Sequence, residues 1–382
     1  MNTWRKIELL GRSAQYDLCG EACGTEAHRV RDDLGRWIYP AVLPDGKRIY
    51  LLKILLTNAC ENDCFYCANR ASRNFRRLSF TPEELARAFD TMYRRGLVKG
   101  LFLSSGVCGA DRTMDRMIAT VELLRRKYDF PGYIHLKILP GASPAHIERA
   151  VELATRVSVN LEAPNPARLA RIAPQKDFEA ELLEPMRRVS SLIAGGEGRL
   201  APAGQTTQFV VGAAGESDRE LLSATERLYR ELGLARVYFS AFQPVPDTPL
   251  DGLPPTPLLR EHRLYQSDWL LRKYGFSLED LVFDDKGNLP RQADPKLMWA
   301  LAHPERFPVE VNRASREELL RVPGIGPRSA SRIVKLRRRG KFRQLADLRK
   351  IGVVVERAAP FILLDGRRPP YQLRLWEPPL RG

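Results

Sequence analysis

From Ile49 to Phe242 the chain alternates short apolar runs with amphipathic stretches, and this alternation constrains the fold more than any other feature. Ile49–Leu56 is almost continuously apolar, as expected for a strand buried on both faces. Further strands are expected at Leu101–Ser104, Tyr133–Ile138, Val157–Leu161, Thr206–Val211 and Val237–Phe242. Helices are expected between them, near 81–95, 113–127, 144–155, 168, 178–193 and 217–232. Thr81-Pro82-Glu83-Glu84 reads as an N-cap, a proline at the first helical position and a capping-box glutamate, and Gly96 stops that helix. Strands that alternate with helices pair in parallel through crossover connections. The expected fold class is therefore α/β: a partial parallel β/α barrel of about six βα units, followed by a small all-α C-terminal domain.

The expected boundaries are an N-terminal extension over 1–48, the barrel core over 49–245, a helical connector over 246–308, a second domain over 309–365 and a Pro/Arg-rich tail over 366–382. The connector opens with six prolines in Pro244–Pro257, and a helix follows near 259–274. No apolar run reaches membrane-spanning length, and the Met1–Ser13 start carries no signal-peptide pattern, so a cytoplasmic protein is expected.

The net charge of +15 is unevenly spread. Residues 309–382 hold 18 Lys and Arg against 7 Asp and Glu, whereas the first 308 residues are close to balance. A focused basic module points to a polyanionic partner or, more blandly, to a solvated surface. Its sequence decides between them. Ser315 and Glu318 form a capping box, Val322-Pro323-Gly324-Ile325-Gly326-Pro327 ends one helix, and a second carries Arg328, Arg332 and Lys335. This resembles the helix-hairpin-helix motif of DNA-binding proteins. The resemblance implies that the Gly324-Ile325-Gly326 backbone approaches a phosphate, that the N–H groups opening the second helix bind it, and that the three cations add charge without reading sequence. Residues 345–362 look like a degenerate second copy, in which Lys350-Ile351-Gly352-Val353 keeps one glycine. A hairpin that binds protein is the alternative.

Six cysteines are too few for a disulfide scaffold of 382 residues. Cys60, Cys64 and Cys67 are spaced C-x3-C-x2-C directly after the first expected strand, on a loop at the strand's C-terminal end, where sites form in such folds. Soft thiolates suit iron–sulfur clusters or zinc. Three local ligands leave one iron of a cubane open, whereas zinc needs a fourth ligand that the neighbouring positions do not supply. Cys19 and Cys23 are spaced C-x3-C with no third cysteine nearby.

The loop, with Tyr66 before its last cysteine, resembles the radical S-adenosylmethionine (SAM) superfamily. That resemblance implies a 4Fe–4S cluster on the three cysteines and SAM on the open iron. It also implies one-electron cleavage of SAM to a 5′-deoxyadenosyl radical, fed by a donor such as a flavodoxin or ferredoxin. Tyr66 matches the position that lies against the adenine. Ser104-Ser105-Gly106 stands where the superfamily usually has Gly-Gly-Glu, so hydroxyls and backbone would have to hold the methionyl amino group. Asn160 and Glu162 end the fourth strand and match groups that meet the ribose or amino acid of SAM, and Gly212 belongs to a relaxed fifth-strand pattern. Cys108 follows the second strand and would either donate a hydrogen atom to a product radical or simply pack. His135 and Lys137 alternate along the third strand and are read as substrate contacts or as structural. Arg260-Glu261-His262-Arg263 opens the helix after the barrel and is read as a substrate contact or a solvated face.

Over nearly its whole length the chain resembles bacterial radical SAM proteins assigned to DNA modification or repair. Stretches such as residues 50–58, 100–105, 173–176, 258–266 and 307–312 carry the likeness. It implies an enzyme acting on DNA, with a uracil-DNA-glycosylase-like partner. The same chemistry on RNA, or a redox-sensing DNA binder without SAM turnover, are the alternatives.

Overall fold

The computed structural model describes residues 2–14, 38–42 and 48–371; Cys19, Cys23 and residues 372–382 lie outside it. In chain order the first elements are α1 (Thr3–Ser13), β1 (Ile38–Val42), β2 (Arg48–Leu55), α2 (Pro82–Arg94), β3 (Gly100–Ser104) and α3 (Ala110–Glu122). They are followed by β4 (Tyr133–Lys137), α4 (Pro144–Leu153), β5 (Arg156–Ser158), α5 (Pro166–Leu169), α6 (Glu184–Gly195), β6 (Gln205–Val211), α7 (Asp218–Leu232) and β7 (Arg236–Ala241). The six strands expected from the alternation are β2 to β7. They pair in parallel in the order of the sequence, giving a half-barrel that does not close.

The sequence reading missed β1, which pairs antiparallel with β2 at the sheet edge. It is short and contains Pro40, and proline is tolerated in sheets only where no neighbour needs its missing N–H. The helix expected at 113–127 starts three residues earlier, and its last turn, Leu123–Lys127, widens to a π-turn. The cap read at Thr81 is present: Glu84 N–H donates to Thr81 Oγ1 at 3.1 Å, and Thr81 N–H donates to the Glu84 carboxylate at 3.3 Å.

The two faces of the sheet differ. Leu52, Ile54, Leu101, Leu103, Ile134, Leu136, Val157, Phe209 and Phe239 are buried on the face that the helices cover. The residues alternating with them are largely polar: Lys53, His135, Ser158, Asn160 and Gln208. Register aligns Lys53 with Phe102 and Phe102 with His135, so these share the inner face. Lys53 Nζ sits 5.0 Å from the Phe102 ring centroid, and the Phe102 and His135 rings meet edge to face at 4.4 Å. His135 Nε2 hydrogen-bonds Ser158 Oγ at 2.9 Å. An apolar outer face anchors the sheet, while a polar inner face offers chemistry.

Contacts divide the chain into two compact units: Met1–Glu216 with Arg227–Thr256, and Ser217–Glu226 with Pro257–Gly382. The second unit adds α8 (Leu258–Lys273), α9 (Pro295–Ala302), β8 (Val309–Glu310), α10 (Arg316–Arg321), α11 (Pro327–Leu336), α12 (Leu345–Lys350), α13 (Val355–Ala358) and β9 (Ile362–Leu363). Val311, Leu319, Ile325, Ile333, Leu348 and Ile362 build its C-terminal core. The charged start of α8 is neither a solvated face nor an open substrate contact. Arg260 Nε donates to buried Asp218 at 2.7 Å, Arg263 donates to the Arg291 carbonyl at 2.9 Å, and Glu261 is buried. Among the described residues no helix is long and apolar enough to cross a membrane.

Candidate active site and nucleic-acid interface

The three cysteines stand on the loop leaving β2, and neighbouring groups hold that loop. Thr57 Oγ1 donates to the Leu78 carbonyl at 2.7 Å, and Asn58 Oδ1 accepts from Leu78 N–H at 2.6 Å. Arg77 gathers both ends, donating to the carbonyls of Asn58 and Asn69 at 2.7 Å and of Arg73 at 3.0 Å. Asp63 accepts from Arg70 at 2.5 Å and from Ser72 N–H at 3.0 Å; these partners hold its carboxyl well below the usual range, with the Arg70 hydrogen bond the main cause. The loop leaving β3 lies against the cysteine loop. Gly106 N–H donates to the Thr57 carbonyl at 2.8 Å, Glu61 N–H donates to the Val107 carbonyl at 2.6 Å, and Val107 N–H reaches Cys60 Sγ at 3.4 Å. A β-carbon on Gly106 would fall 2.1 Å from the Ala59 carbonyl oxygen, so only glycine fits this approach.

The three thiols share one electrostatic environment. Burial pushes Cys67 up to about 12 and raises Cys64, and the charges of the other cysteines add to both shifts. Lys176 lies among them. Burial alone would lower its ammonium, yet Cys64, Glu162, Cys67 and Cys60 together hold it above its ordinary value. Lys176 is thus a buried cation near both Glu162 and the three cysteines. The Gln175 carboxamide, with its oxygen turned toward the loop, accepts from the N–H groups of Asp63 at 2.9 Å and Cys64 at 3.0 Å. Sequence reasoning assigned no role to Arg77, Gln175 or Lys176. Lys176 follows Glu162 by a stretch without periodicity, so nothing local signals their convergence.

The other expected cofactor residues gather on the same side. Tyr66 hydrogen-bonds Glu162, and burial raises its phenol well above the ordinary value. Glu162 is buried and holds a left-handed φ of 63°. For a residue with a β-carbon this costs roughly 1–2 kcal/mol, and such strain gathers at working sites. It is kept there by Glu162 N–H donating to the Gln208 carbonyl at 2.9 Å and Val210 N–H donating back to its carbonyl at 2.8 Å. Asn160 is buried two residues before it. Gly212 has φ 94°, and its N–H donates to Glu216, which also takes the Ala214 N–H at 3.2 Å; Glu216 therefore shapes the turn after β6. Ser104 is buried, and its carbonyl accepts from Leu56 N–H at 2.8 Å. Ser105 Oγ is buried and has no hydrogen-bond partner among the described residues. Cys108 stands close enough to Cys60 to feel its charge, although burial is the larger cause of its raised thiol.

This donor set fits the group the sequence implied. Three thiols lie on one loop, a buried cation lies near them, and an orphaned hydroxyl stands at the β3 end.

Residues 54–228 match the Radical SAM superfamily. The chain carries a radical SAM domain. Proteins of that superfamily use a 4Fe–4S cluster and SAM. Residues 306–361 match the helix-hairpin-helix motif. No curated protein matches the sequence. Among solved structures, the radical SAM chain is similar to the FeFe-hydrogenase maturase HydG from Carboxydothermus hydrogenoformans, at 16% identity, TM-score 0.47, over 58% of this chain and 51% of that one. It is also similar to methylornithine synthase (PylB), at 17%, 0.46, over 59% and 63%. The cobalamin-containing radical SAM methyltransferase TsrM from Kitasatospora setae follows at 13%, 0.40, over 86% and 55%. The chain thus spans between half and two thirds of the length of these structures.

In the helix-hairpin-helix region, α10 opens with the expected capping box: Glu318 N–H donates to Ser315 Oγ at 3.1 Å and Ser315 N–H to Glu318 at 2.7 Å. The degenerate second copy is α12 and α13, packed on the first through a shared core. The two glycines of the first hairpin differ. Gly324, at φ 83°, accepts from Val354 N–H at 3.0 Å, and a β-carbon there would meet the Val354 carbonyl at 2.4 Å. Its conformation is therefore already explained by hairpin-on-hairpin packing. Ile325 is buried, its N–H donates to Val322 and its carbonyl accepts from Lys296 Nζ at 2.6 Å, so it anchors the turn. Gly326 N–H has no partner among the described residues. With the N–H groups opening α11, it is the backbone left to meet an anion. Arg328, Arg332 and Lys335 are exposed beside it.

Lys296 gives a pH test of this anchor. Burial, and next the Arg357 charge, hold its ammonium down to about 7. Unfolded, it titrates near 10.4. Between these values the unfolded chain binds more protons, so stability must rise with pH across that window, by at most about 1.4 kcal/mol per unit. Below about 7 both states are protonated and this contribution to the slope vanishes. Denaturant midpoints between pH 7 and 9.5 should climb for the native protein and climb less for Lys296→Met; equal slopes would mean that Lys296 stays charged when buried.

Proposed function

We propose that the protein is a radical SAM enzyme that modifies or repairs DNA, with Cys60, Cys64 and Cys67 holding the cluster. The observation that carries the reading is the presence in one chain of a three-thiol loop with a buried cation near it in a radical SAM domain and a hairpin with free backbone N–H groups and exposed cations. The loop of Cys60, Cys64 and Cys67 would hold a 4Fe–4S cluster, whose chemistry when bound would be the one-electron reductive cleavage of SAM to methionine and a hydrogen-abstracting 5′-deoxyadenosyl radical. The rest falls to this chain's own groups. Ser105, next to the Gly106 that stands where the superfamily has glutamate, accepts from the amino group of SAM, and Lys176 pairs with its carboxylate. Glu162, held in its strained backbone and bonded to Tyr66, meets the ribose, while Asn160 and the Gly212 turn border the adenosine. Cys108, near Cys60, would give its S–H hydrogen atom to a product radical, and the thiyl radical left on its sulfur would return to the thiol by taking one electron from the same electron donor and a proton.

The hairpin holds the phosphodiester backbone without reading bases. A base inside a duplex is shielded, so the target is flipped out or single-stranded. A flavodoxin or ferredoxin delivers the electron, and a uracil-DNA-glycosylase-like protein is the partner that the resemblance implies.

The test is anaerobic: reconstitute the cluster, add SAM and dithionite, and quantify 5′-deoxyadenosine alone, with DNA and with RNA. Product raised by DNA supports the reading, and product raised only by RNA moves the substrate. A protein with a full cluster and no product with either would leave a redox-sensing DNA binder as the better description.

A further inference from the structure

Two hairpins of similar pattern are expected to offer two similar phosphate sites, but the second one here does not. Where the first presents Gly326 N–H, the second has Val354, whose N–H is spent on the Gly324 carbonyl at 3.0 Å and whose side chain is half exposed. The second copy contributes differently. A cleft of about 490 Å3 opens between α11 and the turn after α12, lined by Arg332, Lys335, Leu336, Arg339, Lys350 and Ile351. Four of these six residues are cationic and none is acidic.

What distinguishes the cleft is that its cations gather round one cavity with no carboxylate in the lining. Some basic residues of the second unit are neutralised, Arg349 by Glu356 at 2.5 Å, Lys341 by Asp365 at 2.7 Å, Arg321 by Asp280 at 3.0 Å and Arg357 by Asp294, whereas others outside the cleft, such as Arg313, Arg338 and Arg343, form no salt bridge among the described residues. Arg332, Lys335, Arg339 and Lys350 form no salt bridge among the described residues, although Lys350 is close enough to Asp347 to help lower its carboxyl. Four like charges gathered round one cavity repel one another, and an anion relieves that repulsion. One guanidinium N–H of Arg332 donates to the Ile351 carbonyl at 3.1 Å, which fixes the group on the wall with its other donors available. Leu336 and Ile351 give the cleft apolar surface against which a sugar can lie.

We propose that this cleft is a second phosphate site, taking the backbone of the same nucleic-acid strand that the Gly326 hairpin engages; the inference rests on the nucleic-acid reading above. Arg328, Arg332, Lys335 and Arg339 recur at intervals of four, three and four residues, so they follow one side of α11 and its continuation. From Arg328 to Lys335 the helix rises about 10 Å, roughly three nucleotides at 3.4 Å each. The strand therefore runs from the hairpin along α11 into the cleft, where Lys350 closes it from the other side. The degenerate copy has exchanged a backbone phosphate contact for a side-chain one.

The experiment uses the full chain, with a short labelled duplex of arbitrary sequence, and follows fluorescence anisotropy across a salt series. Arg339→Gln with Lys350→Gln is expected to weaken binding about 10- to 30-fold near physiological salt, and to reduce the slope of log K against log salt by about 1.8. Arg328→Gln should reduce it by about 0.9. Lys341→Gln removes the same charge from a cation that Asp365 already pairs, and should leave the slope nearly unchanged. A double variant that binds like the native protein, while Arg328→Gln weakens binding, overturns the cleft and spares the hairpin. A Lys341→Gln loss equal, per charge, to that of the double variant also overturns it, because net charge would then be the cause. A native protein without salt-dependent binding removes the nucleic-acid reading itself.

Discussion

Replacing Cys60, Cys64 or Cys67 singly by alanine is expected to reduce 5′-deoxyadenosine formation by at least about 100-fold and to strip iron and sulfide from the purified chain. The three thiols are the only ligands that the loop supplies, and a cubane bound by three residues has no spare. Loss even of groups that merely orient a metal ligand costs about 10- to 100-fold. Removing a ligand must exceed that, because only two thiolates are left. Cys108→Ala is the informative contrast. Its thiol is near Cys60 but lies outside the three-cysteine loop, so iron content should match the native protein while product profile changes. If Cys108→Ala lost iron as the loop variants do, the ligand assignment would need a fourth residue.

Gly106→Ala should be nearly as damaging, although it deletes nothing. The added carbon would stand 2.1 Å from the Ala59 carbonyl oxygen and 2.9 Å from its carbon, both backbone atoms of the residue before Cys60. Neither can swing aside like a side-chain tip, so the β3 loop and the cysteine loop must part. Forced overpacking of this kind costs about 1–3 kcal/mol or more. The displacement falls on the group that sets the Cys60 position, so cluster loading should fall even where the fold survives. Gly195→Ala, at the end of α6 with nothing within 4 Å of the new carbon, is the matched control and should be mild or slightly stabilising. Thermal midpoints and iron per chain, measured on both, separate lost stability from lost cluster geometry. Equal iron content in the two variants would show that the loops can separate without disturbing the site.

The sequence by itself determined the features whose causes lie within a few residues. Capping boxes at Thr81 and Ser315 close within one helical turn, and the strands β2 to β7 announce themselves because an apolar run buried in a parallel sheet needs no partner to be recognised. The cysteine spacing is local too, since one loop must present all three thiols to one cluster. The two glycine-bearing hairpins were legible for the same reason. β1 was not, because an edge strand with a proline carries neither a long apolar run nor a clean alternation.

Other features were decided only by tertiary structure, where distant segments meet. Lys176 and Glu162 reach the thiols from separate parts of the half-barrel, and Arg77 gathers carbonyls on both sides of the cysteines. Gly106 and Gly324 must be glycine because of Ala59 and Val354, residues brought beside them by sheet register and by hairpin packing. Ion pairing likewise split one basic domain into cations already satisfied and cations left for a ligand. Sequence gives the charge of each side chain, but which charges remain unbalanced depends on what the fold places next to them.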